Sequence, residues 1–217
     1  MALSKITTSS LTDGAVSNIK VGAGIDSAKI GAGDVSNTEH AYLNSISSNV
    51  QTQSAGVGAG VTLGTTVAST SGTAIDFTGI PAGTKRISLN LTGVSLNGST
   101  DYAVYLGDSA GFETSGYLGT GNYNGPTDQG IRQYTGSMGM FTSDMGSFFH
   151  GRMILELVDS NTFTWNSMHV LGQTGAYIYV RTGGAQKSLS AELTQIRIAS
   201  ENGSSTWDAG KINIQYE

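Results

Sequence analysis

The sequence predicts a mainly β protein: a C-terminal β-sandwich or jelly-roll head carried on an extended N-terminal stalk that contains one short helix. Three observations predict it. Sixteen of the seventeen aromatic residues lie beyond residue 60, and only Tyr42 precedes it. Past that point apolar and polar residues alternate with the two-residue period of half-buried strands. Turn-forming clusters such as Asn97-Gly98, Asp159-Ser160-Asn161, Gly183-Gly184 and Asn202-Gly203 separate the alternating runs.

The stalk spans residues 1–53. Of the first sixty residues, 31 are Gly, Ala, Ser or Thr, too little bulk for a single copy to repay its own ordering entropy. Ile6, Leu11, Val16 and Val21 fall at five-residue steps, and after a four-residue slip Ile25, Ile30 and Val35 resume the step. Five is neither the helical nor the strand period. One aliphatic every fifth position, with Gly22-Ala23-Gly24 and Gly31-Ala32-Gly33 between, fits a segment threaded along a partner surface or a threefold axis. A polar, flexible arm is the alternative. Ser36-Asn37-Thr38-Glu39 then matches the capping box that opens a helix, predicted over about 38–52. Leu43, Ile46 and Val50 form its apolar seam at coiled-coil spacing. A helix this short is marginal alone, so it packs either on other copies or on its own head. These ten aliphatics are the expected anchoring and trimer contacts. Residues 54–62, rich in glycine, read as a hinge.

The head occupies residues 63–217, with eight to eleven short strands expected. Arg86–Thr92, Thr162–Asn166 and Lys211–Tyr216 alternate cleanly, and Tyr102–Leu106, Met153–Val158, Ala176–Val180 and Glu192–Ile198 are further strands. That number of strands suggests a sandwich or jelly roll.

Composition narrows the function classes. Only 12% of residues are charged, against about 25% in an average soluble domain. A net charge of −5 lacks the basic footprint that nucleic acid or an anionic membrane surface requires. The absence of cysteine excludes disulfides and thiolate metal sites. The start, Met1 to Thr8, has no apolar stretch of a secretory signal. The run Met153-Ile154-Leu155 ends at Glu156, far short of the ~20 residues of a membrane span.

Several motifs in the sequence could carry chemistry. Gly107-Asp108-Ser109-Ala110-Gly111 matches G-x-S-x-G, but a hydrolase nucleophile needs a strand-to-helix elbow, and a strand is expected next, so the motif reads as a β-turn. Glycan hydrolysis needs two carboxylates about 5–9.5 Å apart. Asp101, Asp108, Glu113, Asp128 and Asp144 are available, yet no spacing pairs them, and they read as surface-turn carboxylates. His150 and His169 lack a third ligand in step with them. Neither a catalytic residue, a cofactor nor a metal is expected. Sugar recognition favours aromatic faces flanked by amides, and Gly116–Pro126 reads as the longest such loop. Tyr117, Asn122, Tyr123 and Asn124, with Gln129, Arg132 and Tyr134 beyond, are therefore the candidate receptor-binding residues; a loop ordered only by neighbouring subunits is the plainer alternative.

Several segments resemble known proteins. Thr8 to Val16, Glu39 to Asn44 and Val50 to Gln53 look like stalk segments of tail-fibre and related virion appendage proteins of tailed bacteriophages. So do Phe77 to Thr84, Leu106 to Gly111, Glu113 to Tyr117 and Trp207 to Ile214 in the head. The resemblance implies a trimeric, β-rich, non-enzymatic appendage of the virion, with the N-terminus toward the particle and the head exposed. Its partners would be further copies of itself, other proteins of the tail, collar or capsid, and a host-surface glycan. The chain is short for a long fibre, which leaves a capsid or collar decoration as the alternative.

Overall fold

The computed structural model describes Thr38 and residues 60–217. Thr38 is helical and exposed. The remaining expected helix, the five-residue aliphatic repeat and all ten expected anchoring residues lie outside the described residues. Ala59–Glu217 forms one compact unit.

Fourteen strands build this unit. They are β1 (Thr62–Leu63), β2 (Val67–Ala68), β3 (Ala74–Thr78), β4 (Arg86–Leu96), β5 (Tyr102–Asp108), β6 (Gly111–Phe112) and β7 (Leu118–Asn124). There follow β8 (Gln129–Tyr134), β9 (Met138–Met140), β10 (Ser147–Asp159), β11 (Thr164–Gly175), β12 (Tyr179–Ser188), β13 (Gln195–Ser200) and β14 (Trp207–Tyr216). All pairings are antiparallel. A nine-stranded sheet runs β1-β14-β4-β10-β11-β12-β7-β8, with β2 also on β14. A five-stranded sheet runs β3-β13-β5-β6, with β9 also on β5.

The two sheets share one core. Ile87, Leu89 and Leu91 point inward from β4, where alternation along the strand dictates it. Leu89 lies opposite Met153 of β10 and Ile214 of β14, and all three are buried. The small sheet supplies Val104, Leu106, Ile196 and Ile198 to the same cluster. Each such side chain contributes about 1.5–3 kcal/mol by leaving water. Tyr102 knits one end: its ring meets Phe149 and Trp207 edge-on at 5.3 and 5.0 Å, and its hydroxyl donates to the Val94 carbonyl at 3.1 Å. Beside it β14 bulges between Ala209 and Lys211. Gly210 sits there at φ 90°, where a Cβ would fall 2.3 Å from the Gly93 carbonyl oxygen. No larger residue fits that crossing.

Several sequence expectations require correction. The strands are more numerous than eight to eleven because short ones cap the sheet edges. Gly116–Pro126 is no loop; most of it is β7, hydrogen-bonded to both β12 and β8. Gly183-Gly184 is no turn but the middle of β12, since a Cβ on Gly183 would strike the His169 ring at 2.4 Å. Ala176–Ile178 precede β12 as its turn, and Glu192–Thr194 precede β13.

Leu89→Ala is expected to lower the unfolding free energy by about 2–5 kcal/mol, the range for emptying a buried leucine site. Urea denaturation checks it; a loss below about 1 kcal/mol would show that Leu89 does not sit at the shared core.

Candidate functional site

Four strands, β11, β12, β7 and β8, carry the large sheet beyond β10. Their inward side is held by ion pairs as well as by apolar contact. Arg181 of β12 is 1% exposed. Its Nε donates to Gln173 Oε1 at 2.7 Å, and its terminal nitrogen donates to the Asp144 carboxylate. Gln173 in turn donates to Asp144 at 3.0 Å and to the Ser147 hydroxyl at 2.9 Å. Burial lowers the Arg181 pKa while Asp144 opposes the shift. A guanidinium stays charged in such a site only when its donors are filled.

A second bracket centres on Asp101, which is fully buried. Its carboxylate accepts from Arg132 at 2.8 Å, the Tyr134 hydroxyl at 2.7 Å and the Thr142 amide at 2.9 Å. Burial, then the bond to Asp101, pushes the Tyr134 phenol well up. The Tyr134 ring lies against Gly139, where a Cβ would sit 2.1 Å away. A third bracket pairs Lys187 with Glu113 beneath the Tyr117 ring. Burial works to raise the Glu113 pKa, but hydrogen bonds from Lys187 and Ser190 outweigh it.

From Arg181 a line of aromatic rings leads to the surface. Its guanidinium stands 4.7 Å from the Tyr123 ring and 4.8 Å from that of Tyr179, cation–π distances that fix both rings. Tyr123 meets Phe141 and Tyr179 edge-on, each at 5.1 Å. Tyr177 stacks on Tyr179 at 5.8 Å and 20°, and is half exposed. The β7–β8 turn closes beneath them through Gly125 N–H to the Asp128 carbonyl at 2.9 Å. Gly125 lacks a side chain because the Tyr179 ring occupies that space, 2.0 Å from where a Cβ would be. A hydrogen bond to Asp128 is the main cause that pushes the Tyr179 phenol up to about 12. Beside this tip, a depression of about 310 Å³ is lined by Asn122, Tyr123, Asn124, Gln129, Gly130 and Ile131. The arrangement offers flat aromatic surface next to free amides, the chemistry that holds a sugar ring.

The seven residues expected at a receptor site therefore separate. Asn124 and Gln129 are exposed and Asn122 and Tyr123 half-buried, and all four line the depression. Arg132 turns to the inner side, away from Asn122, Asn124 and Gln129, to bind Asp101 and Glu201. Tyr117 and Tyr134 are buried and present no face to solvent, because their hydroxyls are spent internally: Tyr117 accepts from Leu106 N–H and donates to the Glu113 carbonyl. Sequence reasoning missed Tyr177, Tyr179, Asp128 and the supporting Arg181. The spacing Tyr177-Ile178-Tyr179 straight after Gly175 was the available signal.

The other motifs also find their places. Ser109-Ala110 is the two-residue turn between β5 and β6, and no helix follows it. Asp101 and Asp108 are buried rather than surface carboxylates. Hydrogen bonds, first from the Ser190 hydroxyl, lower the Asp108 pKa. His150 accepts from the Gly93 amide at 3.0 Å on the outer face, whereas His169 is buried on the inner one. Among the described residues no three His, Asp or Glu side chains are grouped to hold a metal, and no helix is long and apolar enough to cross a membrane. Met138 and Met140 belong to the core; Met145 and Phe148 are exposed.

Two outcomes follow. Asp101→Ala strands a buried hydroxyl, an amide and a guanidinium, and is expected to cost about 3–5 kcal/mol in denaturant unfolding; a cost under about 1 kcal/mol would mean the bracket contributes nothing. His169, without a partner for either ring nitrogen, has its pKa lowered by burial to about 4. The unfolded chain takes up that proton near pH 6.5 and the folded one near 4, so this stability is whole above 6.5. About 3 kcal/mol of it is lost as pH falls through that window. His169→Gln should flatten the wild-type fall in urea midpoint between pH 7 and 4.5; parallel slopes would refute the assignment. No family model matches the chain, nor does any curated protein or solved structure.

Proposed function

We propose that this chain is a structural appendage of a tailed-bacteriophage virion. Residues 1–53 attach it to the particle as a homotrimer, and the aromatic tip of a jelly-roll head meets a host-surface glycan. The tip carries the reading: Tyr177 and Tyr179 are stacked, held by a buried cation, and flanked by the free amides of Asn124 and Gln129. Rings fixed before contact lose little entropy on binding.

The jelly-roll reading rests on strand pairing. Eight strands, β2, β3, β4, β5, β9, β10, β13 and β14, pair in the orders β2-β14-β4-β10 and β3-β13-β5-β9. Numbered one to eight along the chain, these orders are 1-8-3-6 and 2-7-4-5, the pattern of two nested Greek keys. The β7–β8 and β11–β12 hairpins are then insertions that build the tip.

A binding rather than a hydrolytic role is favoured by the state of the tip carboxylates. Asp144 is taken by Arg181 and Gln173, and Asp128 by Tyr179. Attachment in threefold display multiplies weak single contacts through effective concentration.

The purified full chain is expected to compete with particles for adsorption to host cells. Tyr177→Ala should weaken that competition about five- to tenfold, the equivalent of one stacking contact of about 1 kcal/mol. A chain that joins particles yet never competes would favour capsid or collar decoration instead. Release of reducing sugar from host polysaccharide would point to a depolymerase.

A further inference from the structure

On the outer face of the large sheet, the two halves differ in charge and in exposed apolar surface. Where β14 and β4 lie, the outward positions are Arg86, Ser88, Asn90, Lys211, Asn213 and Gln215, polar or charged as a wet face should be. Beyond β10 charge disappears from the outward positions, and large apolar side chains stand among amides and hydroxyls. Met168 and Val170 of β11 are 61% and 57% exposed, Val180 of β12 51%, Leu118 of β7 65% and Ile131 of β8 77%. Register sets them among uncharged polar side chains: Val170 opposite Thr182, Thr182 opposite Asn122, Asn122 opposite Ile131.

The charges of these four strands all go the other way. Arg132, Arg181 and Lys187 are their only Lys, Arg, Asp or Glu residues, and each turns to the inner side, to Asp101, Asp144 and Glu113 respectively. Arg181 and Lys187 are 1% and 6% exposed. Burying two cations while leaving five large aliphatic or thioether side chains bare is the reverse of what water favours. An uncharged face that exposes five large apolar side chains among amides and hydroxyls has the composition of a contact surface.

We infer that the outer face of β7, β8, β11 and β12 is covered by other copies of this same chain. This rests on the trimeric reading above and assigns the surface that the heads use. The argument for a second copy is charge. The head holds eight Lys and Arg against twelve Asp and Glu, so copies repel one another over most of their surface. This face carries no formal charge, and identical copies meet there without like-charge contact; interface cores are depleted of charge in the same way. It is also flat enough for close approach, since Gly172 and Gly184 hold outward positions between Met168, Val170 and Val180. A shallow groove of about 420 Å³ runs along it, lined by Ile131, Met168 and Val170 with Thr120, Asn122 and Thr182. Four strands at about 4.8 Å spacing, each about seven residues long at about 3.4 Å rise, cover roughly 20 by 24 Å, or about 500 Å², less than the ~800 Å² per partner of a stable interface. The heads thus add a contact too small to hold the assembly alone, and turn the faces toward a common axis.

The chain contains no cysteine, so a single introduced thiol reports its own surroundings. Val170→Cys and, on the wet half, Lys211→Cys are labelled with a maleimide in the full chain while light scattering gives its mass. A multi-chain mass is expected, with the thiol of Val170→Cys at least tenfold slower than that of Lys211→Cys. Adding Ile131→Asp, a change at a 77% exposed site, should erase the difference. The buried Trp165 and Trp207 keep their blue-shifted emission if the head stays folded. Equal labelling rates in a multi-chain assembly overturn this inference and leave the appendage reading standing; a face covered instead by another virion protein gives that result. A single-chain mass overturns both.

Discussion

Arg181 is a permanent cation enclosed by a β-sheet, and much of the site follows from keeping it satisfied. Its donors require Gln173 and Asp144, which fixes where the 141–147 segment can lie against β11 and β12. Its flat faces require rings, which draws Tyr123, Tyr179 and Phe141 into one cluster. Removing either partner leaves a charge in a low-dielectric site, a larger penalty than any single aliphatic contact there offsets. The tip is consequently stiff at its base and open only at its last ring, Tyr177.

The Asp101 and Glu113 brackets extend the same logic to the flanks. Every cation on β7, β8 and β12 is matched to a carboxylate on an element of the smaller sheet or its connections. These pairs act as registry devices: they specify where β7, β8 and β12 sit over β9 with a directionality that oily contact lacks. The jelly-roll proposal and the tip proposal depend on each other through them, because the insertions gain a defined orientation only by docking on the smaller sheet.

The antiparallel β architecture was legible where a strand has one dry and one wet face. Arg86–Thr92 and Lys211–Tyr216 alternate because their outward neighbours are polar, and β4 and β14 contain them; Met153–Val158, within β10, turns Ile154 and Val158 outward beside Glu156 and reads as an apolar run. Strands β7, β8 and β12 hid for a physical reason. Their inward positions at Gly119, Gly121 and Gly183 are glycine because Ala185, Tyr134 and His169 reach across from neighbouring strands into that volume. Their outward positions mix amides and hydroxyls with isolated apolar residues such as Leu118 and Ile131, so neither face shows a clean alternation and the segments read as loop or turn. At the tip, Asn122, Tyr123, Asn124 and Gln129 were recoverable from composition. Tyr117 and Tyr134 were not, since a phenol serves equally as a surface ring and as an internal donor, and only its distant partner decides which.

The seam between β12 and β7 has a kinetic consequence. It runs from Val180 opposite Asn124 to Gln186 opposite Leu118, joining stretches about sixty residues apart in the chain. Pairings that span so much sequence form late, because the intervening loop must be closed before any bond rewards it. The β10–β11 hairpin, whose partners are near neighbours, can zip early. A nascent molecule would then acquire its local hairpins first, β7–β8 among them, while this seam, like the pairings of β4 with β10 and β14, waits for distant strands, so the surface the outside world can read appears only when the whole sheet closes.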